Sequence, residues 1–466
     1  MVLGAAVASG GEPPLEERAL AAMKKATRFF TEEVATHGGY LWRYSEDLEL
    51  RWGEGKATDT QVWVQPPGTP AVALAYVRAY QATGDPQFLD AALAAAHALC
   101  FGQLISGGWQ YYIDFGPGGQ RRLAYRHLGQ PKSKKARRYS VLDDNTTQAA
   151  LRCLMAVDQL TDDAKVRDAV STGLDALLAA QLPKGGWPQV FGQPPPTQKF
   201  TTYVKIELDG SRTTHRRPTR YWHYHTFNDG VINDCIDVCL EAYERYDDER
   251  YLEAARRGGD FILLSQLDPP QAGWAQQYTR EVEPAWARRF EPKSVCSAVT
   301  VRNIRTLIDL YLAVGEAKYL EAIPPALAWL ERSKLPGEAS RWARFYELST
   351  NRPLYFTREY ELTYEDDDLP THYSFQGDYG GEGAASLYAR LLRLGRQAVL
   401  ARREREPTPN ALRHRAKSLA PGVREVLAAL DVRGRWVEDG MIECRTFIRN
   451  LDKLSAYVAA VKGARR

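Results

Sequence analysis

Two short acidic motifs offer the plainest chemistry in this chain. Asp144 sits in LDDNTTQ (142–148) and Asp229 in HTFNDGVIND (225–234), each at the start of an apolar-periodic stretch. Asp and Asn are favoured helix N-caps, and capping by itself accounts for such residues. Acids repeated at one end of a helical bundle also converge, however, and convergent carboxylates bind a hard cation through oxygen. His223 and His225 flank the second motif, where a loop histidine could move a proton. Arginines supply the complementary charge. Trp286-Ala287-Arg288-Arg289-Phe290-Glu291 is echoed by Trp342-Ala343-Arg344-Phe345-Tyr346-Glu347, and Asn351, Arg352 and Arg358 follow the second copy. A guanidinium held among aromatics is a rigid fork suited to a carboxylate. The bland alternative is an internal Arg–Glu pair that fastens the loop. The stretch 121–138 carries five Arg and three Lys without one acid. It is either a solvated face or a basic rim for a polyanion, with salt-sensitive affinity.

The elements that must position these groups are helices in pairs. Second helices run through 84–99, 161–181, 247–266 and 315–333, and first helices begin at Thr69, Asn145, Asn228 and Ser294. Apolar positions recur at three and four, which predicts helix rather than strand. Thr69-Pro70 and Asp85-Pro86 read as N-cap and N1. Each second helix runs into a tryptophan loop, at Trp109, Trp187, Trp274 and Trp342, and 16–42 keeps only a second helix and its loop. Gln103-x3-Gly107-x-Trp109 and Gln181-x3-Gly185-x-Trp187 suggest Gln and Trp tying helix ends to loops; Trp187 is also a candidate sugar-stacking platform. Such hairpins cannot bury their apolar faces alone and must stack on neighbours. The expected fold is all-α: an α/α toroid, a partial or closed barrel of helix hairpins with long cleft-forming loops. Residues 199–217 should form a β-hairpin around Asp209-Gly210.

The expected divisions are an N-terminal tail or signal remnant (1–14), the toroid domain (15–395), and a basic linker with a C-terminal helical extension (396–466). With 466 residues, 44% hydrophobic and 26% charged, the chain is neither disordered in bulk nor a rod. No apolar run reaches the roughly 20 residues of a membrane helix. A net charge of +3 gives no sign of a nucleic-acid partner, and a monomer is expected. The six cysteines form no CxxC pair and read as buried thiols. An apolar, small-residue start leaves periplasmic or secreted location as the expectation.

GGWPQVF (185–191), HTFNDGVIND, DDNTTQ and WARFYELSTNRPLYFTRE (342–359) resemble the pectate lyases of polysaccharide lyase family 10, over roughly 140–360. That resemblance implies calcium-assisted β-elimination on an acidic uronate polymer such as polygalacturonate. It places Arg358 at the family's catalytic arginine and Arg344 at a substrate-gripping arginine of the reacting centre. Asp144 and Asp229 fall at the cleft acids that share calcium with the substrate, and Arg288 at a looser match. Arg352, Asn351, Trp187, His225 and Tyr346 are the remaining substrate-binding candidates. Tyr346, His225 and His372 are reserve bases, because a guanidinium normally stays protonated. The chain departs from the family at 369–380, LPTHYSFQGDYG, which lacks a further arginine, and in longer loops at 110–142 and 192–222. Two other readings stand beside the lyase: an α/α-toroid glycoside hydrolase using Asp144 and Asp229, and a non-catalytic acidic-polysaccharide-binding protein.

Overall fold

A computed structural model describes residues 12–131, 133–195, 197–337 and 340–465. Most of the anticipated tail 1–14 therefore lies outside the described residues. Among the described residues fifteen α-helices follow in chain order. They are α1 (Leu15–Phe29), α2 (Thr69–Thr83), α3 (Pro86–Gly102), α4 (Pro117–Arg122), α5 (Thr146–Asp158), α6 (Ala164–Ala180), α7 (Val231–Tyr246) and α8 (Glu249–Leu264). Then come α9 (Ser297–Val314), α10 (Lys318–Glu321), α11 (Ile323–Arg332), α12 (Gly381–Leu394), α13 (Arg396–Glu404), α14 (Pro409–Ala428) and α15 (Cys444–Gly463). Among them no helix is long and apolar enough to cross a membrane.

The hairpins α2–α3, α5–α6 and α7–α8 pack within themselves, and their first helices pack in succession, α2 on α5, α5 on α7 and α7 on α9. The succession extends to α12 at one end and to α15 at the other, where α15 lies on α1, α2 and α14. The N-terminal copy, which keeps only a second helix, thus receives a partner from the far end of the chain: Phe447 of α15 stacks on Phe30 at 3.6 Å. The second helix of the last hairpin is split into α10 and α11 at Ala322, ahead of Pro324 and Pro325, whose missing N–H groups suit only a new first turn.

Boundaries follow local chemistry. Asp85 caps α3 through Gln87 N at 3.1 Å, and Asp163 caps α6 through Lys165 N at 2.9 Å. Thr69 is not a cap: Gly68 precedes α2, and the Thr69 hydroxyl instead donates to the Tyr40 carbonyl at 3.1 Å.

The all-α expectation is too simple. Two- and three-residue strands tie the loops together, and six strands form one sheet. Its order is Val295–Cys296, Phe345–Tyr346, Pro353–Phe356, Leu362–Thr363, Phe200–Ile206 and Arg212–Pro218. The last two are the anticipated hairpin, paired from Phe200↔Pro218 to Ile206↔Arg212. Loops this long must satisfy their own backbone groups, and short ladders do so.

Candidate functional site

The acidic motifs form near-identical strained corners. Asp144 (φ 51, ψ 33) and Asp229 (φ 46, ψ 20) are left-handed, as are the following Asn145 and Gly230. Neither aspartate caps its helix; α5 and α7 begin without a side-chain cap. Such backbone costs on the order of 1 kcal/mol per residue and persists where the surroundings demand it. Gly230, at φ 75, is the residue type that tolerates this left-handed corner best. The two corners pack together, and carboxylate oxygens of Asp143, Asp144 and Asp229 all come within 4.8 Å of one another.

Three acids this close repel. Burial, then the charges of Asp144 and Asp229, push the Asp143 carboxyl up to about 7. Burial and Asp229 push Asp144 up to about 6. Neutral donors hold the oxygens in place: Gln65 Nε2 reaches Asp144 at 3.0 Å, Gln189 Nε2 reaches Asp143 at 2.9 Å, and the Tyr111 hydroxyl donates to Asp143 at 3.1 Å. Arg288 is the neighbouring cation, 3.1 Å from Asp229 and 2.7 Å from the buried Glu291. Burial works to lower its pKa, but Glu291 and Asp229 outweigh that and the net shift is upward. Part of that charge is thus committed to Glu291. The donor set is all hard oxygen with surplus negative charge, and it fits a divalent cation such as Ca²⁺.

Arg344 shares one aromatic ring with Arg288. Its guanidinium lies 4.4 Å from the Tyr373 ring centre, and that of Arg288 lies 5.8 Å from the same ring. Tyr373 is fixed by donating to Glu291 at 3.1 Å. Among the described residues Arg344 makes no ion pair and no side-chain hydrogen bond. It is therefore a held but uncommitted carboxylate fork. Tyr373 comes from 369–380, so the segment that lacks an arginine supplies the ring near both Arg288 and Arg344.

Arg358 is not brought into this cluster. It is exposed on the turn after Pro353–Phe356 and pairs with Asp368 at 3.3 Å. Its turn is nevertheless fastened to the site loop, because Arg289 donates to the Glu359 carbonyl at 2.9 Å and lies over Tyr360. Arg352 is exposed, over the Tyr364 ring.

Four of the substrate-binding candidates are structural, which corrects the sequence reading. Trp187 is fully buried and its indole donates to the Leu177 carbonyl at 2.9 Å, so no sugar can stack on it. Trp109, Trp274 and Trp342 repeat that bond to Leu99, Ile262 and Leu330. Gln103 and Gln181 each bridge two carbonyls at the same corners. His225 is buried, stacked on Phe261 at 4.3 Å, and burial pushes its imidazole down to about 4. The Tyr346 hydroxyl accepts from Ala343 N and donates to the Ser333 carbonyl. Tyr278 does the same with Ala275 and Ser265. The true structural counterpart of 342–346 is therefore 274–278; Trp286 instead packs on Tyr203 at 4.0 Å. Asn351 spans the Ser333 hydroxyl at 2.8 Å and the Trp329 indole at 2.7 Å.

Sequence reasoning missed Asp143, Gln65, Gln189, Tyr111 and Tyr373. Asp143 was next to a chosen residue; the others carry no local signal. A pocket of about 390 Å³ opens beside Asp143, between the long loops.

Fold and site thus define a protein of stacked helix hairpins, with an acidic cluster and two arginines gathered on loops at the starts of its first helices. Residues 120–341 match the model of a family described as pectic acid lyase, which bears out the resemblance read from the sequence. No curated protein matches the chain. Among solved structures, it is similar to the family 10 polysaccharide lyase from Cellvibrio cellulosa, at 19% identity and a TM-score of 0.47, over 70% of this chain and 96% of that one. A mutant of that lyase in complex with trigalacturonic acid scores 0.48, at 19% identity, over 70% and 98%. An α-1,6-mannanase from Salegentibacter sp. HEL1_6 is 12% identical, with a TM-score of 0.40, over 96% of this chain and 100% of that one.

Proposed function

We propose that this protein is a polysaccharide lyase that cleaves an acidic, pectate-like uronate polymer by β-elimination in the cleft of an α/α toroid. The observation that carries this reading is the meeting of Asp143, Asp144 and Asp229 with Arg288 beside Tyr373 and Arg344; the family match supports it. The proton at C5 of a uronate lies α to its carboxylate. Arg344, uncommitted within the protein, grips that carboxylate, and Arg288, near the same Tyr373 ring, adds positive charge. Charge building on the carboxylate as C5–H breaks then meets preorganised cations, which lowers the barrier. The C5–H electrons form the C4=C5 double bond, the C4–O bond breaks, and the leaving oxygen takes up a proton. Asp144 and Asp229, joined by Asp143, would hold Ca²⁺, which when bound stabilises negative charge on the substrate carboxylate.

By the resemblance, Arg358 removes the proton. It does so directly, or it assists electrostatically while hydroxide acts. Full activity of Arg358→Ala would exclude both roles. If Arg358 acts in the transition state, its Ala and Lys variants should lose turnover by about a hundredfold or more and keep binding. A clamp would instead show as a raised KM in Arg358→Lys. Oxygens within 4.8 Å of one another are closer than the roughly 6.5–9.5 Å of an inverting hydrolase pair and nearer the roughly 5–5.5 Å of a retaining one, so the hydrolase is decided by its products.

Product chemistry is the test: a lyase yields an unsaturated, UV-absorbing uronate from polygalacturonate, lost with chelator and restored by calcium. A new reducing end without UV absorbance would establish the hydrolase, and binding without products the non-catalytic reading. A polyuronate substrate implies a periplasmic or secreted enzyme.

A further inference from the structure

We infer that Arg137 and the aromatic pocket beside Asp143 form a second carboxylate-recognising subsite, which holds the uronate residue adjacent to the one at the acid cluster. The inference rests on the polyuronate reading above. It starts from an asymmetry in the basic loop. Arg122 is paired with Asp114 at 3.0 Å, Arg126 with Asp168, and Arg138 donates to Gln130 at 3.1 Å. Arg137, like Arg121, has no such partner among the described residues, but of the two only Arg137 lines the pocket beside Asp143, and its backbone is clamped on both sides. Its N–H donates to the Arg122 carbonyl at 2.8 Å, and its carbonyl accepts from Ala124 N at 3.0 Å. An exposed guanidinium on a fixed backbone, without an internal acid, is placed for a ligand.

The surroundings suit one kind of ligand. Arg137 lines the pocket of about 390 Å³ together with Tyr139, Tyr221, Trp222, Gln189 and Asp143. That volume lies within the roughly 300–1,000 Å³ of small-molecule sites. Aromatic faces pack on the apolar faces of a sugar ring, and the guanidinium fork matches a planar carboxylate. Asp143 belongs both to this wall and to the acid cluster, and Gln189 bonds it from the pocket side at 2.9 Å. The two sites therefore adjoin, as successive residues of one chain require.

The test measures binding of trigalacturonate and its methyl ester, in calcium, to wild type, Arg137→Lys and Arg137→Ala, with rates on polygalacturonate. Wild type should prefer the free acid. Arg137→Ala should bind trigalacturonate about tenfold more weakly, equivalent to about 1.4 kcal/mol, and leave methyl-ester affinity unchanged. Arg137→Lys should fall between, and the rate loss should appear in KM. Wild-type affinity in Arg137→Ala, or equal losses for acid and ester, would overturn the subsite. If the alanine variant fails to fold, Arg137→Lys with undiminished acid preference overturns it equally. Should wild type neither bind nor cleave either polymer form, the polyuronate reading itself fails, and the inference with it.

Discussion

Asp143, Asp144 and Asp229 are arranged for charge rather than for stability. Burial and mutual repulsion raise the Asp143 and Asp144 pKa values, so their ionised forms cost stability above those values. Asp143→Asn should therefore raise the melting temperature without added cation and blunt the calcium-induced shift, as thermal unfolding at pH 8 would show. Asp144→Asn and Asp229→Asn should each cut turnover about a hundredfold or more while leaving the protein folded. His225 gives the opposite sign. Its folded value of about 4 lies below the ordinary 6.5, so the unfolded chain takes up the proton first as pH falls. Stability is then lost from pH 6.5 down to 4, by about 3 kcal/mol at most. Because the raised acids act in the reverse direction over part of that window, the readout is the difference between wild type and His225→Phe in denaturant titrations. A difference that stays flat from pH 7 to 4 would contradict the assignment.

At the scale of elements, the repeated corner is a Gln bridging two carbonyls and a Trp tied back to the preceding helix. Gln181 links the Gly185 carbonyl to that of Ala254 in α8, so it joins one hairpin to the next. Gln181→Ala leaves the Gly185 carbonyl without its donor and removes the added bond to the helical Ala254 carbonyl, and should cost about 1–3 kcal/mol. Trp187→Ala should cost about 3–5 kcal/mol through its cavity. Neither residue faces the cleft, so equilibrium unfolding should register both losses while kcat of the surviving folded fraction stays near wild type. A stable Trp187→Ala enzyme with impaired KM would revive a sugar-stacking role. This corner was legible because its residues recur at constant spacing. The strands were not, since two-residue ladders reflect which loops meet across the bundle and leave no periodicity.

Across the whole molecule, the ends of the chain complete the helical stack. α15 lies on α1 and α2, with Phe447 buried against Phe30 and Tyr76. Phe447→Ala should therefore destabilise by about 3–5 kcal/mol, a loss measurable by urea unfolding, although Phe447 lies outside the matched stretch 120–341. The site depends on the same stacking. Its two acidic corners begin α5 and α7, and they meet because those helices are neighbours.

Local information determined the helix hairpins, their caps and the tryptophan corners, because period, N-cap chemistry and repeat spacing act within a few residues. It also marked Asp144, Asp229 and Arg344, whose motifs carry the family resemblance, and Arg288 as a looser match. Tertiary structure alone decided which aromatics were core, since a buried Trp187 and an exposed sugar platform have the same sequence signature. It alone turned the Asp144 and Asp229 corners from caps into a shared acid cluster, and brought Tyr373 from far along the chain to within reach of both Arg288 and Arg344. It also put Arg358 in solvent beside Asp368 while fastening its turn to the Arg288 loop. Charge, burial and distance are properties of the assembled neighbours, and no window of sequence contains them.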